Sequence, residues 1–376
     1  MEQDVVQKER LAKLLWSWGF LCDFNVKLLD PRSGGYARTE LTDLDVLGRK
    51  VNRNLYEERV CGDCKTLKNM SVINRAFWQR GVMDYFGISR GYIVVRKQPT
   101  ESHKQTAREM GITLLDDQAF DIYCRKLGFM EGLDKMNMFN RRSWDYFEKN
   151  IPSQQSLGSL ISYRDYGYWT DRPNRSLRLT LMEMVGVRDK MDEDHKHHRA
   201  LALDCATRFA SSLLSMIAVL FQIHLVTDEK DLLDDYLKVY IYGGREVYDH
   251  LNAITKKLID LKSDKTLFNK ERIKEKHTDL SLPDWGKFLQ LYRTLLEAPA
   301  VAVEIPRVLR FVLFERLLYN NKEVTLAQAI PDISSLTVKL SADVVTYFLN
   351  GSQLFSKFGK EIVRILDELL LSLRKN

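Results

Sequence analysis

The chain has little of what breaks or staples a fold. Eight prolines in 376 residues, with no repetitive tract, exclude long disordered or fibrous segments. Five cysteines, at positions 22, 61, 64, 124 and 205, are too few for a disulfide framework, and the odd number points to a reducing compartment. The opening residues, Met-Glu-Gln-Asp-Val-Val-Gln-Lys-Glu-Arg, lack the apolar core of a signal peptide, so a cytoplasmic location is expected. No internal repeat is visible. Charge of one sign does not dominate either: the formal net charge is +6 and the pI about 8.9. That balance suits a polyanionic partner without identifying one. The surplus divides evenly between residues 1–125 and the remainder, so it marks no binding surface.

Long hydrophobic runs are almost absent. The one that approaches membrane-span length is Phe209 to Val226. It holds Ser211, Ser212, Ser215, Gln222 and His224, with Asp204 and Arg208 just before it. Such groups are costly in lipid and are satisfied inside a folded protein, so a buried helix is expected and membrane association is not.

What is present is a globular composition, 45% hydrophobic and 29% charged, in a chain long enough for two domains. Leu11, Leu14, Leu15 and Trp18 predict a helix over 5–18, ended by Gly19. Alternation of Phe20, Cys22, Phe24, Val26 and Leu28 predicts a strand over 20–29, and Asp-Pro-Arg-Ser-Gly-Gly turns the chain into a second strand over about 38–51. A third follows over about 56–66, antiparallel to the second. Then come a helix over 71–86, a buried strand over 91–96, a helix over 101–110 and a strand over 111–115. Strand, helix and strand at this spacing imply right-handed crossovers and a partly parallel sheet. After about residue 126, helical spacing takes over, notably at 200–226, 286–297 and 356–374. The expectation is an α/β domain over 1–125 and a larger, mostly helical region over 126–376. The stretch 152–175, rich in Ser, Gly and Pro, reads as irregular and as a possible internal boundary.

The second and third strands carry the chemistry. Strand alternation puts Asp43 and Asp45 on one face of the second, and Asp63 and Lys65 on one face of the third. Two carboxylates and an ammonium converging there suit a hard divalent cation held by oxygen, with an amine to orient water. The expected reaction is metal-dependent phosphodiester cleavage.

The order helix, three strands, helix, strand, helix, strand, with Asp in the second strand and Asp-x-Lys in the third, resembles the PD-(D/E)XK nuclease superfamily. Leu14-Leu15 before Gly19-Phe20 and Ala107-Arg-Glu-Met-Gly111-Ile add to the match, which covers about the first 125 residues. The resemblance implies that Asp45 and Asp63 ligate magnesium or manganese, that the Cys64 carbonyl completes the inner shell, and that Lys65 helps position the attacking water. Asp43 lies on the same face and can replace Asp45. No proline precedes Asp45, and the first-helix glutamate of many members has no secure counterpart: Glu9, the nearest, points away from the apolar stripe and toward solvent. By analogy the substrate is DNA in preference to RNA, and the role restriction or defence. The alternative is a non-catalytic nucleic-acid-binding or scaffold subunit that uses a nuclease-like fold.

Other constellations weigh less. Cys61 and Cys64 have C-x-x-C spacing, but positions three apart in a strand face opposite sides. Asp194, His195 and His198 would share a helix face in a solvated first turn. Tyr163, Tyr166, Tyr168 and Trp169 among Arg164, Arg172 and Arg175 suggest base stacking, or tyrosines packed under a loop. Gly243-Gly244 suits a hinge or tight turn. The stripe Ile362, Val363, Leu366, Leu369, Leu370 and Leu373 packs on the helical region, or pairs with a protein partner or a second copy of the chain.

Overall fold

Helix α1 (Glu2–Ser17) ends where Gly19 takes a φ of +87°, a conformation an L side chain resists, and the chain passes directly into strand β1 (Leu21–Leu29). Strands β2 (Glu40–Val51) and β3 (Glu57–Asp63) follow, then helix α2 (Val72–Phe86) and strand β4 (Arg90–Val95). Helix α3 (Glu101–Glu109), strand β5 (Ile112–Asp116) and helix α4 (Asp117–Lys126) complete this part. The computed structural model describes all residues except 1, 31–38, 65–70, 97, 128–131, 153–154, 225–229, 266–279 and 375–376.

The five strands form one sheet in the order β1-β2-β3-β4-β5. The pairs β1-β2 and β2-β3 are antiparallel, whereas β3-β4 and β4-β5 are parallel. The expected class is therefore observed: a mixed sheet flanked by helices, followed by a mostly helical region. Leu11, Leu14 and Leu15 of α1 are fully buried against the sheet. Gly62 of β3 makes that contact close, because a Cβ there would lie 2.1 Å from Leu11 Cδ2. On the opposite face, Ala76 and Met83 of α2 and Ala107 of α3 pack with Cys61, Ile93 and Ile112.

The stretch expected to be irregular is helical instead. Helix α5 (Arg141–Lys149) precedes α6 (Gly158–Ser162), which runs through a π-helical turn (Tyr163–Gly167) into α7 (Tyr168–Thr170). Helix α8 (Pro173–Val187) then begins with its proline in the first turn, where no intrahelical N–H is needed. Leu157, Leu160, Tyr163 and Tyr168 are all buried, and this apolar spacing outweighs the weak helix propensity of Ser and Gly. Residues 153–154 lie outside the described residues. The expected boundary near Arg125 falls at the end of α4, and one apolar cluster continues across it, from Leu11, Val46 and Tyr92 to Phe209, Phe314 and Leu366.

Helix α9 (Lys196–His224) contains the long apolar run. Its Lys196–Phe221 stretch has the length and composition of a membrane span, yet 89% of the most apolar window is buried inside the protein. Its charged residues bind the sheet to the helices. Asp204 Oδ2 accepts from Arg164 Nε at 2.7 Å and from Arg208 Nε at 3.1 Å, and Oδ1 lies 3.5 Å from Arg310 Nη1. Asp23 of β1 accepts from Arg310 Nη2 at 3.0 Å and pairs with Arg208 Nη2 at 3.5 Å. Burial alone would raise the Asp204 pKa, but Arg208, Arg164 and Arg310 outweigh it and hold the carboxyl far below the usual range.

Two predictions follow from these buried ions. Asp204→Ala strands guanidiniums that cannot shed a proton, so urea unfolding should show a loss of ~3–5 kcal/mol, whereas Asp235→Ala, in its exposed pair with Arg245, should leave the unfolding midpoint nearly unchanged. Glu57 behaves differently: burial pushes its carboxyl up, but Arg49 and Arg59 win and bring it from 4.5 down to about 2. A depressed carboxyl stabilises fully above its ordinary pKa and loses that contribution as pH falls through the folded value. The stability gap between wild type and Glu57→Gln should therefore be constant above pH 4.5 and close between pH 4.5 and about 2.

Candidate active site

Asp45 is 2% exposed, near the middle of β2. Its Oδ2 accepts from the Cys64 backbone N–H at 2.7 Å, which ties β2 to the end of β3. Its Oδ1 lies 2.8 Å from Lys8 Nζ of α1 and, among the described residues, accepts no hydrogen bond of normal geometry. Lys8 also donates to Asn25 Oδ1 of β1 at 2.8 Å.

Asp63, 3% exposed, is the last residue of β3. Both its oxygens accept from Arg75 of α2, Nη2 to Oδ1 at 2.7 Å and Nε to Oδ2. The Arg75 guanidinium lies 3.8 Å from the Trp78 ring centroid. Burial works against its charge, but the hydrogen bond and charge of Asp63, with the further charges of Asp45 and Asp43, raise its pKa. Asp43 sits on β2 opposite Lys27 of β1. Asp43, Asp45 and Asp63 thus all act on one cation. Lys65, the ammonium of the Asp-x-Lys pattern, lies outside the described residues.

The two cations that meet these carboxylates were not among the expected site residues. Lys8 precedes Leu11 by three positions and Leu15 by seven, the spacing of the sheet-facing stripe, which is the signal that could have found it. Arg75 precedes Trp78 and Gln79 in the same way on α2. Glu9 requires a correction, because it is not a solvated side chain. Its carboxylate accepts from the Arg141 backbone N–H at 2.7 Å and caps the first turn of α5.

The donor chemistry suits a hard cation: carboxylate oxygens, one of them buried and open apart from an ammonium. The bidentate Arg75 fork on Asp63 competes for the same oxygens. Among the described residues, no group of three or more His, Cys, Asp and Glu is placed to hold a metal. Cys61 and Cys64 are buried, and burial pushes the Cys61 thiol up to about 12 and that of Cys64 well above its ordinary value. Neither offers a thiolate at neutral pH. His198 Nδ1 accepts from the Asp192 N–H at 2.8 Å and His195 Nδ1 from the His197 N–H at 3.3 Å, so each spends a ring nitrogen on backbone.

Base stacking on the Tyr and Trp cluster is excluded for three of its four rings. Tyr163, Tyr168 and Trp169 are 9%, 3% and 8% exposed. Tyr168 Oη accepts from Arg49 Nη1 at 2.6 Å and donates to the Arg208 carbonyl at 3.1 Å, so the rings serve the interior. Gly243 and Gly244, at φ +97° and +115°, form a tight turn.

A double-mutant cycle on Lys8→Met and Asp45→Asn should give a coupling of ~1–3 kcal/mol in denaturant unfolding, because both groups are mostly buried. Gly62→Ala should cost ~1–3 kcal/mol by wedging α1 off β3.

No family model matches the chain, and no curated protein matches it. A solved structure described as "Crystal Structure of Protein of Unknown Function AF1548" is similar at 14% identity, over 58% of this chain and 97% of that one, with a TM-score of 0.25. A likeness at that score carries no inference about function.

Proposed function

We infer that the chain hydrolyses phosphodiester bonds of nucleic acid, with Asp45 and Asp63 holding a magnesium or manganese ion. DNA as substrate, and a role in restriction or defence, rest on the resemblance to PD-(D/E)XK nucleases alone. The observation that carries the reading is Asp45 Oδ1, a carboxylate oxygen buried beside the end of β3, met by Lys8 Nζ at 2.8 Å and accepting no hydrogen bond of normal geometry among the described residues.

A bound divalent ion supplies polarisation of the scissile phosphate and acidifies a water. The chain's own residues do the rest. Cys64 N–H fixes the Asp45 carboxylate through Oδ2 and leaves Oδ1 for a cation. Lys8 and Arg75 balance the carboxylate charge when no ion is bound, and Arg75 must release at least one Asp63 oxygen for that residue to act as a ligand. Once released, its guanidinium is a donor for phosphate oxygens. Lys65 stabilises negative charge developing on the phosphoryl group.

A second reading is favoured by the Arg75 fork itself. With both Asp63 oxygens engaged, the sheet works as a salt-bridged scaffold that binds nucleic acid or a protein partner without cutting.

Incubation of the full chain with linear, circular and single-stranded DNA and with RNA separates the two. The nuclease reading expects cleavage with magnesium or manganese, none with EDTA, and a loss of at least ~10²-fold in Asp45→Asn, Asp63→Asn and Lys65→Ala. Cleavage that survives EDTA or any of these substitutions removes the proposed site.

A further inference from the structure

Strand β1 carries one residue that breaks its backbone pattern. Asn25 has a φ of +50° and, among the described residues, is the only one inside a strand with a positive φ. Asparagine tolerates that region better than other residues with a Cβ, and a break of this kind in a strand re-aims a side chain. Phe24 pairs with Val46 and Val26 with Leu44, so Asn25 stands across from Asp45.

The side chain points at the same place as that carboxylate. Asn25 Oδ1 lies 2.8 Å from Lys8 Nζ, and Asp45 Oδ1 lies 2.8 Å from the same nitrogen. An ammonium donates and never accepts, so the oxygen of the amide, not its nitrogen, faces Lys8. Two oxygens from neighbouring strands therefore converge on one position, and a cation fills it. The two ends of this contact differ. Asp45 is buried and its Oδ2 is fixed by the Cys64 N–H, whereas Asn25 is exposed and lines a cavity of about 420 Å³ bounded by β1 and α5. The position is thus reached from water on the Asn25 side. Lys8 enters from α1 on a flexible stem, so its ammonium can leave without moving either strand. Carboxylate and amide oxygens are both ordinary ligands of a hard divalent ion, and at about 2.0–2.6 Å from that ion each would move inward by less than ~1 Å.

We propose that Asn25 is a further ligand of the divalent ion, its Oδ1 sharing with Asp45 Oδ1 the position that the Lys8 ammonium fills. This rests on the reading of Asp45 as a metal ligand and extends the site from β2 and β3 to β1.

Manganese titration of the full chain, read by the loss of the free-ion electron paramagnetic resonance signal, tests this. Asn25→Gly accepts the positive φ and removes the oxygen, and it should weaken binding at least ~10-fold. A residue that only holds Lys8 gives the opposite result, because its loss frees the competitor and leaves binding equal or tighter. In Lys8→Met, where the ammonium is gone, adding Asn25→Gly should still weaken binding at least ~10-fold, and adding Asn25→Asp should strengthen it through the extra charge. If circular dichroism shows Asn25→Gly unfolded, the Asn25→Asp comparison decides. Equal or tighter binding in folded Asn25→Gly, or no gain from Asn25→Asp in Lys8→Met, overturns the assignment of Asn25. The nuclease reading then stands if Asp45→Asn abolishes binding in the same series. No binding in wild type, Arg75→Gln or Lys8→Met overturns both.

Discussion

The buried ions at Asp23 and Asp204 hold the two halves of this protein together. Asp23 comes from the edge strand β1 and Asp204 from the buried helix α9, the guanidiniums of Arg208 and Arg310 bridge them, and Arg164 adds a further contact to Asp204. Arginine stays charged at any depth, so these groups can be inside only where the carboxylates stand beside them. That requirement fixes α9 and the helix Ile305–Phe311 against β1 more narrowly than apolar contact would. Arg49 of β2 adds a second tie, donating to Tyr168 Oη and, at 3.2 Å, to Ser215 Oγ of α9. Within the helical region, Glu315, fully buried in a π-helical turn, holds the segment after α4 by accepting from the Met138 N–H at 2.9 Å and Asn137 Nδ2 at 3.0 Å.

Because the sheet is fixed in this way, the geometry of the carboxylates follows from local packing. The Leu11 contact over Gly62 sets α1 on β3, and one turn earlier on the same stripe Lys8 arrives at Asp45. On the other face, α2 lies on Cys61 and Ile93 and brings Arg75 to Asp63. Each carboxylate therefore has its own cation, delivered by a different helix. That arrangement stabilises the resting chain and leaves any divalent ion a competitor to displace.

The N-terminal elements were legible because their signals are local. Period-two alternation in 20–29 and 38–51, and the apolar run Tyr92-Ile-Val-Val95, are properties of a few adjacent residues, and the strands appear where those patterns lie. The stretch 152–175 was misread for the opposite reason. Its Ser, Gly and Pro residues signal turns locally, but the burial of Leu160, Tyr163 and Tyr168 against distant partners decides the outcome. The same holds within the candidate site. Asp45 and Asp63 stand out by spacing in strands, whereas Lys8 and Arg75 matter only through contacts across the sequence.

The central claim is that Lys8 and Arg75 occupy positions of charge that a divalent cation takes over at Asp45 and Asp63. The most direct test is manganese binding to the full chain, followed by the loss of the free-ion electron paramagnetic resonance signal. The account predicts one bound ion in wild type, none in Asp45→Asn, and tighter binding in Arg75→Gln, where the competitor for Asp63 is gone. Absence of binding in both wild type and Arg75→Gln, or binding that Asp45→Asn leaves intact, would contradict it.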